Sequence, residues 1–395
     1  MSDAAAPATP AHLPYLDGLR GIAAAWVLLG HIGLLAGANY PVLKEGGSAV
    51  DLFMILSGFL MAFHYLERED REPWEEPSTW FRFWTRRFFR IAPLYYLLLA
   101  LALLGGTWVG QARDVIGGVH PETLTAAVRY TDHSAANWLT HITFVFGLLP
   151  RFGYRTALPD WSIGLEMQFY LALPFLMILW KRGGPLAMAL AALVVCAAVR
   201  VVFPHYVHAF SMPSMLTLKL HVFVAGMLLA GAVQSAGNKR ALLQIGGAVA
   251  MPLIAALARI ENPVASSVQL VLVGLFSSLV FHRALAPRPI VGALVGAAVK
   301  GLDAPVMRWL GDTSYSVYLL HLLLAIPLIA MLSSVGQFNQ LPGVLRFAIS
   351  VAICAPPVYF VAGLLHRGIE LPGIALGKRA LVLAGLHPAR RAAAE

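Results

Sequence analysis

The sequence predicts an all-α, polytopic membrane protein of about ten transmembrane helices, with both termini in the cytoplasm. Three observations carry that expectation. Of its 395 residues 58% are hydrophobic and only 12% charged, about half the charged share of a soluble domain, and the mean hydropathy is +0.71. Ten apolar runs are long enough to cross a bilayer, which takes about 20 residues: 19–37, 48–66, 88–109, 161–180, 185–203, 214–235, 241–258, 264–283, 311–333 and 343–366. With the N-terminus inside, these crossings put most of the 29 Lys and Arg residues on the cytoplasmic side, as the positive-inside rule requires. The net charge of +9 is then explained by topology, and no nucleic-acid partner is expected.

The remaining elements follow in order. Residues 1–14, "MSDAAAPATPAHLP", lack the basic n-region of a signal peptide and read as a disordered tail. The transmembrane domain is expected over 15–370. Loop 67–87 is cytoplasmic and charged, whereas 110–160 lies outside and carries His120, His133, Trp138 and His141, either covering a substrate site or serving as a connector. Within it, "NWLTHITFVFGLL" at 137–149 is too short to cross, and counting it as a span would move Lys181 and Arg182 outside. Segment 286–308 is placed along the inner interface. Residues 371–395, ending "LHPARRAAAE", read as a basic C-terminal tail against anionic lipid. Cys196 and Cys354 sit in apolar runs without metal-ligand spacing, so they are packing residues and no metal is expected.

Ionisable groups inside a bilayer are costly and are functional candidates by default. "YLDGLRGIAAAWVLLGH", Tyr15 to His31, carries Arg20 and His31 eleven residues apart, nearly the same helix face and about 16 Å apart in rise. His31 lies about 18 Å of rise from the inner end of its run and Glu166 about 8 Å from the outer end of its own. The two therefore reach comparable depth, and a carboxylate meeting an imidazole there would hold its tautomer and raise its basicity. In "GDTSYSVYLLHLLL", Tyr315, Tyr318 and His321 share one drifting face. His321 is a rival base, or with the tyrosines an interhelical stitch. Lys219 and His221 lie in the outer part of the sixth run, where snorkelling accounts for Lys219. Arg86, Arg87 and Arg90 form one turn of guanidinium groups on the face of Arg20, a cluster suited to a polyphosphate or to ordinary anchoring.

Five motifs, "YLDGLRGIAAAWVLLGH", "VDLFMILSGFLM", "FWTRRFFRIAPLYYL", "DWSIGLEMQFYLALPF" and "GDTSYSVYLLH", occur in the order and spacing of the membrane-bound acyltransferase-3 family, which the chain resembles over nearly its whole length. The resemblance implies an integral-membrane O-acyltransferase that moves an acyl group, commonly acetyl, from cytoplasmic acyl-coenzyme A to a hydroxyl of an extracytoplasmic glycan or other acceptor. Arg20 and His31 match the family's Arg-x10-His pair, Arg87 and Arg90 its Arg-x-x-Arg, and Trp161, Ser162 and Glu166 its Trp-Ser-x-x-x-Glu. Many relatives carry a second glutamate where this chain has Met167, which counts against any scheme needing a carboxylate pair. Many also append an esterase-like domain, so that activity is expected to be absent or supplied by another protein.

On this reading His31 and Glu166 are catalytic and Arg20, Arg87 and Arg90 hold the donor. Trp161, Ser162, Tyr315, Tyr318 and His321 contact the substrate. The donor is acyl-coenzyme A as a substrate, with no tightly bound cofactor. The other partners are a carbohydrate or hydroxyl acceptor and the lipid of a bacterial inner membrane. Direct transfer and an acyl-histidine intermediate are both compatible with the residues. The rival class is a proton-coupled transporter of a polysaccharide or small molecule, with the His, Glu and Lys residues as its relay.

Overall fold

A computed structural model describes residues 13–38, 40–44 and 46–386. The N-terminal tail up to residue 12 and the basic residues from 387 onward lie outside the described residues. Among the described residues ten helices are long and apolar enough to cross a membrane: α1 Pro14–Leu35, α2 Gly46–Leu66, α3 Pro77–Leu104, α4 Trp161–Gly183, α5 Pro185–Val202, α6 Leu216–Gln234, α7 Lys239–Leu257, α8 Pro263–Val280, α9 Ser314–Ser333 and α10 Gly343–Leu383. Every expected run becomes one of these spans. Proline begins α1, α3, α5 and α8, where its missing N–H would have no intrahelical partner anyway. Consecutive spans alternate in direction, and the end of the bundle at which α1 starts is called the near end below.

Helices α2, α6 and α9 are the most enclosed, with 72–78% of their apolar windows buried, against 22–33% for α5, α7, α8 and α10. The centre is a backbone-to-backbone crossing of α2 and α6. A Cβ on Gly58 would lie 2.0 Å from the Phe223 carbonyl oxygen, and one on Gly226 would lie 2.1 Å from that of Ile55. Only glycine permits that approach, and close van der Waals packing of small residues holds helices together where lipid removes the hydrophobic driving force. α1 lies beside α2 and α9, and α4 packs on α5.

Three expectations change. Residues 371–383, read as part of a tail, are the last turns of α10 and pack along α3. A Cβ on Gly373 would meet the Phe89 carbonyl oxygen at 2.9 Å, and one on Gly377 would meet Phe89 Cβ at 2.7 Å. Pro93 inside α3 leaves that Phe89 carbonyl without its helical donor, and the two glycines let α10 close over it. A π-helical turn, His366–Glu370, joins the two parts of α10 and turns Glu370 into the bundle.

Lys219 does not snorkel. It is 8% exposed and its Nζ lies 3.1 Å from Asp51 on α2 and 2.5 Å from Glu261 before α8. Gln269 donates to the same Asp51 carboxylate at 2.8 Å and meets the His221 ring at 3.1 Å. A buried ammonium is tolerated because carboxylates satisfy it.

The stretch 105–160 is a folded cap rather than a solvated connector. Helix Gly106–Val119 packs on α9, and the short helix Ala135–Ile142 is capped by Ser134, whose hydroxyl accepts from the Asn137 N–H. Within the cap, burial holds the His141 imidazole below its usual value against the pull of Asp160, whose carboxylate lies 3.7 Å away. Segment 286–308 becomes helix Pro289–Leu302 followed by Pro305–Asp312, bent by 60° between them.

Candidate active site

The first turns of α1, α4 and α9, together with α2 and the middle of α3, enclose a cavity of about 270 Å³. Its wall joins Arg20 from α1, Arg87 and Arg90 from α3, Ser162 and Glu166 from α4, and Tyr315 and Tyr318 from α9. Residues expected from four separate motifs therefore converge on one space.

The arginines divide by their partners. Arg86 is paired: its terminal nitrogens donate to both oxygens of Glu72, at 3.0 and 2.8 Å, and to the Tyr65 hydroxyl at 2.8 Å. One position along the helix, about 100° round its axis, Arg87 instead faces the cavity and lies over the rings of Phe83 and Tyr170 at 5.9 and 5.7 Å. Among the described residues Arg20, Arg87 and Arg90 form no ion pair. Three unneutralised guanidinium forks on one wall make an anion receptor, because each can give bidentate, charge-assisted bonds.

Glu166 sits above them. Its Oε1 accepts from Ser57 at 2.9 Å and from the Tyr170 hydroxyl, while Oε2 makes no hydrogen bond among the described residues. This carboxylate does not meet His31, as the depth comparison had expected. α1 begins five residues earlier than its apolar run, so His31 stands about 26 Å of rise from the helix start, beyond Glu166. Next comes Tyr318, whose hydroxyl donates to the Pro159 carbonyl at 2.8 Å. A phenol has one proton, so the Ser162 hydroxyl, also at 2.8 Å, is the donor to Tyr318. Tyr315 donates to the Ile91 carbonyl at 2.9 Å.

His31 and His321 lie past Tyr318 and are not part of the cavity wall. They pair instead: His321 Nε2 is 3.1 Å from His31 Nδ1, with ring centroids 4.9 Å apart. The tautomers follow from the carbonyls, which can only accept. His321 Nδ1–H donates to Tyr318 O at 2.6 Å, leaving Nε2 as a lone pair. His31 Nδ1–H is shared between Val27 O, at 3.0 Å, and that lone pair. The basic nitrogen of half-buried His31 is therefore Nε2, held in orientation by His321, which is itself 0% exposed. Fixing one ring nitrogen is how a histidine base is prepared.

Trp161, the first residue of α4, is buried in the core beside the cavity residues and is not part of the cavity wall. The sequence reading also missed three residues. Ser57 and Tyr170 orient Glu166; the i,i+4 spacing of Glu166 and Tyr170 was a usable signal. Glu370, which accepts from Ser316 on α9 and lies 3.3 Å from His366, had none, because only the π-helical turn directs it inward.

The family model described as an acyltransferase domain matches residues 13–364. Over 387 residues the chain is 25% identical to the peptidoglycan O-acetyltransferase OatA of Listeria monocytogenes, an alignment covering 91% of this chain and 56% of that protein. It is 31% identical over 168 residues to a Komagataeibacter xylinus protein provisionally named membrane-bound transacylase BcsY, covering 42% of this chain and 36% of that one. To Bacillus subtilis YrhL, provisionally named a peptidoglycan O-acetyltransferase, it is 28% identical over 197 residues, covering 48% and 28% respectively. The chain thus spans little more than half of the first relative's length and smaller shares of the other two. No solved structure matches it at a significant level.

Proposed function

Because this chain belongs to the acyltransferase-3 family of membrane acyltransferases, we propose that it carries an acyl group of acetyl size from cytoplasmic acyl-coenzyme A to a hydroxyl of an extracytoplasmic glycan. The observation that supports this most is the cavity in which Arg20, Arg87 and Arg90 stand, without carboxylate partners among the described residues, beneath Glu166, Tyr318 and the His321–His31 pair. The donor's phosphates bind the three guanidinium groups at the near end, which faces the cytoplasm of a bacterial inner membrane. The pantetheine arm runs up the cavity, where Glu166 Oε2 accepts from one of its amide N–H groups. Tyr318 swings aside to let the thioester reach His31.

Nε2 of His31 takes the proton of the acceptor hydroxyl as its oxygen attacks the thioester carbonyl. The tetrahedral intermediate collapses with cleavage of the C–S bond, the imidazolium returns its proton to the departing thiolate, and the products are an O-acyl ester and free coenzyme A. His321 supports the imidazolium through the Nδ1 hydrogen bond. Glu166 is thus a donor-side residue rather than the partner of His31.

Sidedness tests the scheme. Inside-out vesicles loaded with a glycan acceptor and given external acetyl-coenzyme A should release thiol outside and accumulate ester inside, and right-side-out vesicles should do neither. Thiol release that does not require the inside-out orientation sinks the trans-bilayer scheme, and no thiol release in any orientation sinks the enzymatic one. Cysteine placed at Ala135 should be labelled by an impermeant reagent from the periplasmic side only, and cysteine placed at Ser78 from the cytoplasmic side only.

A further inference from the structure

The far-end cap holds two cations that this chemistry leaves idle. Arg113, on helix Gly106–Val119, and Arg129, on the turn Val128–Thr131, are 5% and 4% exposed. Neither forms an ion pair among the described residues. Small residues bring them together. A Cβ on Gly106 would lie 2.5 Å from the Tyr130 carbonyl oxygen, and one on Gly110 would lie 2.8 Å from Tyr130 Cβ. Gly106, Gly110 and Arg113 follow helical spacing, so the face that carries Arg113 packs on the turn that carries Arg129.

The two differ in how they are held. Arg129 is tied on every side: it donates to Thr156 O at 2.8 Å, to the Tyr154 hydroxyl and to Leu158 O at 3.4 Å, and it lies 3.9 Å over the Tyr154 ring. Arg113 donates only through Nε, to Thr123 O at 2.7 Å, and its two terminal nitrogens make no hydrogen bond among the described residues. Burial holds the Arg113 guanidinium below its usual value; the Tyr130 hydroxyl opposes this and the Arg129 charge adds to it. Helix Gly106–Val119, which carries Arg113, packs on α9, whose His321 pairs with His31.

A buried cation without a counter-ion is costly, and a guanidinium fork with both terminal donors unused matches a carboxylate or a phosphate. We infer that Arg113, steadied by Arg129, receives an anionic group of the acceptor, a carboxylate or phosphate set beside the hydroxyl that His31 deprotonates. The inference rests on the acyl-transfer reading for the place of that hydroxyl, not for the binding of the anion. A neutral sugar would leave the fork unpaired, and sites built to bond a polar group reject analogues lacking it.

Binding to the full chain in detergent, measured by titration calorimetry with methyl glucuronoside, methyl glucoside 6-phosphate and methyl glucoside, tests it. The charged glycosides should bind at least about tenfold tighter than the neutral one, and whichever charged probe binds better identifies the anion. Arg113→Gln should erase the preference with the thermal unfolding transition unchanged, and Arg113→Lys, which keeps charge but loses the fork, should reduce it. Equal affinity for all three probes, no binding of either charged probe, or a preference untouched in Arg113→Lys or surviving in Arg113→Gln overturns the inference. Thiol release from acetyl-coenzyme A in the same samples separates the two proposals. Charge preference without thiol release sinks the acyl-transfer reading alone, and thiol release with equal use of charged and neutral glycosides sinks this one alone.

Discussion

Two charged clusters occupy the interior of this bundle, and they are built on opposite plans. Around Lys219, every strong charge has a partner: Asp51 and Glu261 flank the ammonium and Gln269 donates to the Asp51 carboxylate. Around Arg20, Arg87 and Arg90, the cations face a cavity and form no ion pair among the described residues. Charge in a bilayer is costly in both cases. The closed cluster offsets that cost within the fold and ties α2, α6 and the start of α8 together. The open cluster needs something from outside, so the lesson is that ligand sites in membranes are recognised by missing counter-charges rather than by charge itself.

The largest effect should come at the end of the open system. His31→Gln should lower turnover by about 10² to 10⁴, the usual worth of a general base, while donor affinity by calorimetry stays as in the parent. If turnover survives and His321→Gln abolishes it, the base is His321. Breaking the closed cluster should instead damage the fold. Lys219→Met leaves two carboxylates facing one another and should cost about 3–5 kcal/mol of stability, read as a lowered unfolding transition in detergent. An unshifted transition would make the cluster functional rather than structural and dissolve the contrast.

Opening the anion receptor should have the converse signature. Arg87→Ala and Arg90→Ala should each weaken acetyl-coenzyme A binding by about ten- to a hundredfold, the worth of a charged hydrogen bond, with stability nearly unchanged. Lysine at either position should restore binding only in part, since it lacks the planar fork. Arg86→Ala, although adjacent, should behave like the closed cluster, because it strands buried Glu72. The smallest effect belongs to the boundary between cavity and histidines. Tyr318→Phe removes the bonds to Ser162 and Pro159 and should cost about 1 kcal/mol in stability while holding turnover within about tenfold. A loss as deep as that of His31→Gln would make the phenol a participant in the chemistry rather than a latch.

Much of the architecture was legible because a bilayer demands long apolar runs, and all ten expected runs became spans. The motif residues Arg20, Arg87, Arg90, Ser162, Glu166, Tyr315 and Tyr318 were legible as well, since ionisable and hydroxyl groups stand out against an apolar background. Three readings failed for one common reason. Lys219, taken to snorkel, finds Asp51 far away in the chain; Glu166, taken to meet His31, is held by Ser57 and Tyr170 while His31 pairs with His321; and residues 371–383, taken as a tail, close over α3 through Gly373 and Gly377. Each depends on a neighbour contributed by a distant segment.

The sequence by itself determined the number of spans, the family and which residues stand out as polar within the bundle, because these follow from local composition and from motif spacing along single helices. Tertiary structure alone decided how those residues are used. Arg86 is consumed by Glu72 while Arg87 is left open, His31 is oriented by His321 rather than by Glu166, and Arg113 is buried beside Arg129. The physical reason is that composition and spacing fix which groups enter the low-dielectric interior, whereas the energy of each group there depends on whether a counter-charge or hydrogen-bond partner arrives from another helix, and that is a property of packing.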